Sequence, residues 1–527
     1  MKFTIFFTLL LFVACSSNNK KTTQLLTVAE KSDYQSTSTY ADVISFIETL
    51  KQHHPEMRVE TIAQSAEGHD IPLLVLGDGG KTDKLVLYIQ ANIHAGEVEG
   101  KEATLMLVRD LLENDTAGLL NRVTLLVCPI LNPDGNDMIS KKNRTNQNGP
   151  ENGVGVRYNG QHLDINRDAL KLETPELRGV VKNVLNRWNP AITVDCHTTN
   201  GSFHEEPVTF SWMINPNTDR SLINYMRDEM MPVVAQELES RYGVMNCYYG
   251  IFPDREHHEK GWLNYAAEPR YLFDYVGVRN RLAILNENYV YADFKTRVNG
   301  CYSFLKTVIE FAGDNAGKIE RLLSKVDSSM INRFTDNSAV DSFAIRYNVF
   351  ATPEKMKIRA FQVDVEIDST GRKHYKRSNR RETLMVDYLA DYYPVKSISV
   401  PKAYLITIPD DQPLIENLRL HGIGMEKLGH DTTLTVEKFR IDSMKPSSRL
   451  NQGHYRNSVF GEYITEEHLF NADTYVVKTN QPLGNLVCYL LEPQTDDCLL
   501  KWNFFDRYLT AQWGNKFYPY PVYRLLR

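Results

Sequence analysis

A histidine and a glutamate three residues apart, His94 and Glu97 in Ala91-Asn92-Ile93-His94-Ala95-Gly96-Glu97, are well suited to hold a metal ion. The segment follows an expected strand and opens an expected helix, so both side chains sit on one tight turn and are able to converge. An imidazole nitrogen with a carboxylate oxygen suits zinc, which takes three protein ligands when a fourth position stays open to water. The spacing alone is weak: His53 and Glu56 repeat it in a proline-containing segment with no strand before it. A third ligand is needed, and His197 closes the apolar stretch from Ala191 to Cys196. Asp195, two residues earlier, points to the same side of that strand and is placed to orient a ligand. A strand-end histidine considered alone would bond locally to Thr198 or Thr199 just as well.

These residues need elements to position them, and the pattern from about Leu85 to Gly300 supplies them. Leu85 to Gln90, Val123 to Leu131, Ala191 to Cys196 and Leu282 to Leu285 read as buried strands, and Glu97 to Glu113 as an amphipathic helix. Asn132-Pro133-Asp134-Gly135 is a turn signal. Apolar strands interleaved with helices argue for an α/β fold, a mixed central sheet covered by helices. Glu287 follows the last of those runs and would emerge at a strand's carboxyl end, where catalytic groups gather in open α/β sheets. Beyond Gly313 a polar helical stretch leads through Asp336-Asn337-Ser338. Lys357 to Glu366, Ala403 to Ile408 and Thr433 to Arg440 then alternate apolar and polar residues, as in a β-rich, sandwich-like C-terminal domain. The expected division is 1–15 signal, 16–315 catalytic domain, 316–340 connector and 341–527 accessory domain. The basic run from Arg372 to Arg381 reads as a solvated hairpin.

In this order and spacing, His94–Glu97, Asn132-Pro133-Asp134-Gly135, Arg144, Asn166-Arg167, His197 and Glu287 resemble the carboxypeptidase A-like zinc metallopeptidases over roughly residues 40–310. The resemblance implies one zinc ion held by His94, Glu97 and His197. It implies Glu287 as general base, Arg144 as the group polarising the scissile carbonyl, and Asn166 with Arg167 as the clamp for a terminal carboxylate. Each role is physically reasonable. A carboxylate near an acidified water takes its proton, a guanidinium grips a carboxylate through two parallel hydrogen bonds, and a cation beside the metal stabilises an oxyanion. Arg157 competes with Arg144. The chain departs from the pattern at Asp168, where familiar members place a neutral polar residue. A substrate-binding tyrosine is assigned to Tyr265, with Tyr271 and Tyr275 as competitors, and side-chain preference is expected to be set near Leu272 to Asp274.

Other parts of the 527-residue chain bound the reading. It is 42% apolar and 24% charged with a net charge of −6, which excludes disorder for the bulk and gives no charge-driven nucleic-acid partner. Met1-Lys2 and the apolar run Phe3 to Ala14, ending at Cys15, resemble a lipoprotein signal, so a lipid on Cys15 would tether the protein to a bacterial envelope membrane facing the periplasm or outside. Plain secretion is the alternative. Cys128, Cys196, Cys247, Cys301, Cys488 and Cys498 form no CxxC pair or dense framework. Asp254, Glu256, His257, His258 and Glu259 are adjacent on a polar turn and give no second metal site. The expected activity is hydrolysis of C-terminal amide bonds in peptides with a free C-terminus, cell-wall stem peptides included. A zinc deacylase of N-acyl amino acids and a non-catalytic peptide- or glycan-binding envelope protein are the alternatives.

Overall fold

The computed structural model describes residues 25–78, 84–199, 201–265, 267–335, 341–410, 412–511, 513–514 and 516–526. Cys15 and the expected signal before it, and Asp336 to Ser338, lie outside the described residues. The first region holds β1 (Arg58–Gln64), β2 (Asp70–Leu76), β3 (Leu85–Ala91), β4 (Val123–Cys128), β5 (Ile192–Thr198), β6 (Val208–Trp212), β7 (Asn246–Tyr248), β8 (Trp262–Leu263) and β9 (Leu282–Asn288). Eight of them form one sheet in the order β1-β2-β4-β3-β5-β9-β6-β7. Its centre, β4-β3-β5-β9, is parallel, while β2 and β6 run antiparallel to β4 and β9.

Every residue of β4, β5 and β9 is buried, as a parallel centre covered on both faces requires. Period-two alternation divides their side chains. Leu87, Ile89, Ile192, Val194, Cys196, Leu282 and Ile284 join one core, with Leu105 and Val108 of the helix Glu99–Asn114 and Phe304, Leu305 and Val308 of the helix Phe294–Asp314. Tyr88, Ala283 and Leu285 belong to the opposite core. His197 and Glu287 continue the face of Asp195 and Leu285, so the chemistry lies on that second side.

The region beyond contains β10 (Ser342–Ile367), β11 (Lys373–Ser399), β12 (Ala403–Ile406), β13 (Glu426–Lys427), β14 (Thr432–Pro446), β15 (Asn457–Phe470), β16 (Tyr475–Lys478) and β17 (Val522–Leu525). It is β-rich, with antiparallel pairing throughout these eight strands. β10 and β11 form a long hairpin whose second strand also pairs with β8, Tyr388 opposite Trp262. The basic run lies on this hairpin and its turn. The other strands make a six-stranded sheet, β13-β16-β12-β17-β14-β15. Tyr404, Leu414, Phe439 and Leu486 from this region join Tyr88, Ala283 and Leu285 in one core. The C-terminal region therefore covers the sheet face that carries the chemistry. Among the described residues no helix is long and apolar enough to cross a membrane.

Candidate metal centre and cavity

Backbone geometry sets the first two candidate ligands. Asn92 adopts φ +65°, a left-handed conformation its short amide tolerates, and its Nδ2 donates to the Ala95 carbonyl at 3.2 Å. At Gly96 a β-carbon would stand 2.5 Å from Arg144 Cδ and 2.8 Å from the Gly155 carbonyl oxygen, so only glycine fits. The turn faces the carboxyl end of β5, which supplies the third candidate ligand, His197.

Three donor atoms meet there. His94 Nδ1 and Glu97 Oε2, His197 Nδ1 and Glu97 Oε2, and the two Nδ1 atoms are each separated by 3.1 Å. Tetrahedral coordination at zinc–ligand distances of about 2.0–2.1 Å places donors about 3.3 Å apart, so the triangle fits zinc closely. The far ring nitrogens face carboxylates: His94 Nε2 lies 3.1 Å from Asp164 Oδ1, and His197 Nε2 lies 2.9 Å from Asp195 Oδ2. A carboxylate at Nε2 keeps the proton there and leaves the Nδ1 lone pair for a metal.

The local field follows from these contacts. Burial would raise the Glu97 carboxyl, but His94 and Arg144 hold it well below its ordinary range. Burial likewise opposes ionisation of Asp164, and His94, Arg157 and Arg167 outweigh it and hold the carboxyl low. Burial would lower the His197 imidazole, yet Asp195 and Glu97 hold it well above the usual value. Glu287 is the exception. Burial pushes its carboxyl up to about 8 despite the nearby His197, and its Oε2 has no hydrogen-bond partner. It stands opposite His197 in the β5–β9 register, on the same face.

A cavity of about 550 Å³ opens over this group. His94, Glu97, Arg157, Asn166, Arg167, His197 and Glu287 line it, with apolar walls from Tyr249, Ile251, Phe252, Phe273 and Leu285. Arg167 lies over the Tyr271 ring at 4.5 Å, its guanidinium donating to the Asn166 carbonyl at 2.7 Å. Asn166 accepts from the Leu272 amide at 3.2 Å, and its Nδ2 lies 3.4 Å from His197 Nε2. Tyr265 is half exposed on the cavity wall, and its hydroxyl accepts from Tyr249 at 3.1 Å.

Some expected residues stand elsewhere. Arg144 donates to Glu97 Oε1 at 3.0 Å but does not line the cavity, whereas Arg157 does and also donates to Asp164 Oδ2 at 2.8 Å. Tyr275 is buried against His421 and Arg279, away from the cavity. Asp274 is buried and accepts from the Ile214 and Asn215 amides, so Phe273 is the member of the 272–274 stretch that reaches the cavity. Asp168 caps the segment after Arg167, accepting from the Glu173 and Thr174 amides and from Lys171. Asn132-Pro133-Asp134-Gly135 opens a short helix, Pro133–Asp137, with the Asn132 side chain accepting from the Gly135 amide at 3.0 Å. Sequence reasoning missed Asp164, although a carboxylate two residues before Asn166-Arg167 was the available signal.

Residues 43–213 match the family model described as zinc carboxypeptidase. Among curated proteins the chain is similar to "Carboxypeptidase 2" of Trichophyton rubrum, 22% identical over 489 residues, covering 88% of this chain and 81% of that protein. It also resembles "Metallocarboxypeptidase A" of Trichophyton tonsurans, 27% identical over 241 residues, covering 40% and 56%. Among solved structures, carboxypeptidase A of Helicoverpa armigera aligns with a TM-score of 0.40 at 18% identity, covering 54% of this chain and 75% of that one.

Proposed function

We propose a mechanism for a chain that, through residues 43–213, belongs to the carboxypeptidase A-like zinc metallopeptidases: it trims single residues from peptides with a free C-terminus. The observation that carries this reading is the 3.1 Å triangle of His94, Glu97 and His197 at a cavity that also holds the unpaired Glu287. Those three side chains would hold the zinc ion, which when bound would supply a Lewis acid that acidifies water. Glu287 takes the proton of the attacking water and hands it to the departing amine. Arg157, on the cavity wall, faces the negative charge that develops on the scissile carbonyl. Arg144 instead braces Glu97 from behind. Arg167, with Asn166 beside it, holds the substrate carboxylate, and Tyr265 closes over the bound end from the rim. Lining by Tyr249, Phe252, Phe273 and Leu285 favours an apolar C-terminal side chain.

The Met1–Cys15 pattern supports lipid anchoring at Cys15 in a bacterial envelope, where peptides and cell-wall stem peptides are within reach. The test is incubation of the purified full chain, zinc-loaded, with a peptide library carrying free and amidated C-termini, read by mass spectrometry. Loss of single, mainly apolar residues from free termini, much faster than from amidated ones, is the expected result. A zinc-loaded protein that leaves every peptide intact but cleaves N-acyl amino acids would replace the peptidase with a deacylase.

A further inference from the structure

A second group of ligand-type side chains lies outside the cavity and takes no part in the proposed chemistry. His204 stands between β5 and β6, Glu206 two residues before β6, and Cys247 at the centre of β7. One donor from each lies within 4.8 Å of the others, and all three residues are buried. The His204 and Glu206 side chains are 1% and 0% exposed. His204 Nδ1 and Glu206 Oε2 stand 3.6 Å apart, and neither has a hydrogen-bond partner. Leaving such atoms unsatisfied in the interior is costly, so they call for an occupant.

Neighbouring contacts hold the donors in place. Glu206 Oε1 accepts from the Arg359 amide at 3.0 Å and from its guanidinium at 3.2 Å, which leaves Oε2 for the cluster. The His204 ring lies on Tyr289 at 3.8 Å between centroids and meets Trp262 edge-on at 5.8 Å. The cluster at 254–259 differs: His257 pairs with Glu259 and Lys260 with Asp254 at the surface, and His258 pairs with Glu382.

We propose that His204, Glu206 and Cys247 bind a second zinc ion. Imidazole, carboxylate and thiolate together suit zinc and disfavour the hard cations, which prefer all-oxygen shells. Binding releases the Cys247 thiol proton to solvent. The resulting thiolate and the Glu206 carboxylate offset the two positive charges of the ion, while the Arg359 guanidinium on the other Glu206 oxygen leaves one positive charge beside the centre. Its place in the fold assigns it a structural task. The 203–205 segment is stitched to β10, with the Glu205 amide donating to the Arg359 carbonyl at 2.8 Å and the Phe361 amide to the Phe203 carbonyl at 3.0 Å. An ion shared with Cys247 fastens that segment, and the long hairpin it carries, to the edge strand β7.

The proposal is independent of the peptidase reading, and its test has a readout other than activity. The His94–Glu97–His197 site contains no sulfur ligand, so in the cobalt-substituted full chain only the second site gives a thiolate-to-cobalt charge-transfer band in the near ultraviolet. The expected result is two equivalents of zinc per chain and that band in the cobalt form. Cys247→Ser should lose the band and one equivalent while keeping its peptidase turnover, and Glu206→Gln should weaken the same ion. One equivalent in the wild type, or two equivalents without the band, overturns the proposal. An inactive protein that holds both ions would break the peptidase reading and leave this one standing.

Discussion

Glu287, near the carboxyl end of β9, and Glu492, at the C-terminal cap of the helix Gly484–Leu491, are both buried carboxylates, one in each region, and they are used in opposite ways. Glu492 is 2% exposed and fully paired. Its Oε1 accepts from the Tyr404 hydroxyl at 2.6 Å and Arg524 Nε at 2.7 Å, and its Oε2 accepts from the Tyr463 hydroxyl at 3.1 Å and from Arg524 again. Arg524 also lies over the Tyr463 ring at 3.5 Å and reaches Glu437 at 3.3 Å. Glu287 is also buried but keeps one oxygen unpartnered, and burial pushes its carboxyl up to about 8. A buried acid by itself does not mark a site. One left short of partners beside ligand-type side chains and an open cavity does, because the deficit is met only when metal and substrate arrive.

Exchanging either acid for its amide tests that contrast, and Glu287→Gln should have the larger effect. Turnover should fall by about 10²–10⁴-fold with zinc content unchanged, measured by steady-state kinetics and metal analysis. The same variant should stabilise the metal-free protein. Glu287 has a folded-state value near 8 against an ordinary value of 4.5. Above 4.5 the unfolded chain releases that proton while the fold retains it, so wild-type stability declines as pH rises towards 8. The advantage of the glutamine variant should therefore be absent below pH 4.5, grow between 4.5 and 8, and then level off in thermal melts run with a chelator.

Glu492→Gln should do the reverse. It unbalances a buried ion pair and should cost about 3–5 kcal/mol in denaturant melts, with kcat/KM per folded molecule unchanged. A destabilised Glu287→Gln or an inactive but stable Glu492→Gln would erase the distinction. Arg167→Ala comes next: removing a charged clamp worth about 1.5–3 kcal/mol should lower kcat/KM by roughly 10–100-fold on free C-termini and hardly alter the slow cleavage of amidated peptides. Equal losses on both would remove the clamp.

The smallest effect is expected where the two regions meet. Gln452, in the loop between β14 and β15, accepts from the Asp164 amide at 2.8 Å, and Asp164 faces His94. His454 of the same loop pairs with Glu173 at 2.8 Å. Gln452→Ala should cost about 1 kcal/mol of stability and weaken zinc binding by about twofold to fivefold, read by competition with a chelator. Loss of zinc without loss of stability would show that this loop acts on the ligand cradle alone. These contacts and the shared core argue that the C-terminal region belongs to the catalytic architecture through the face it covers.

Much of the site is legible in the amino-acid sequence, because strand-end positions and short turns are local. A turn with Asn92 and Gly96 presents His94 and Glu97 together, and period-two alternation places Asp195 with His197. That Tyr275 and Arg144 stand off the cavity wall is not legible in this way. Tyr275 lies on the short helix Leu272–Val278, where the face it presents is settled by His421 and Arg279, and Arg279 lies four residues on while His421 lies 146 residues away. Arg144 and Arg157 both leave the irregular segment between Asp137 and Ile165, and only the packing of that segment decides which guanidinium meets the cavity.

Local chemistry and periodicity set the types of the candidate ligands, their order, the alternation of strands and helices, and the β-rich character of the second half. Those features follow from side-chain chemistry and from the 2.0- and 3.6-residue periods, which operate within a few residues. Tertiary structure alone decided the closure of the 3.1 Å donor triangle, the partner of His94 at Asp164, the unpaired state of Glu287, and the meeting of His204 and Glu206 with Cys247. Each of these depends on which distant segments share a face of the sheet and how much water their packing excludes, and no local pattern encodes that.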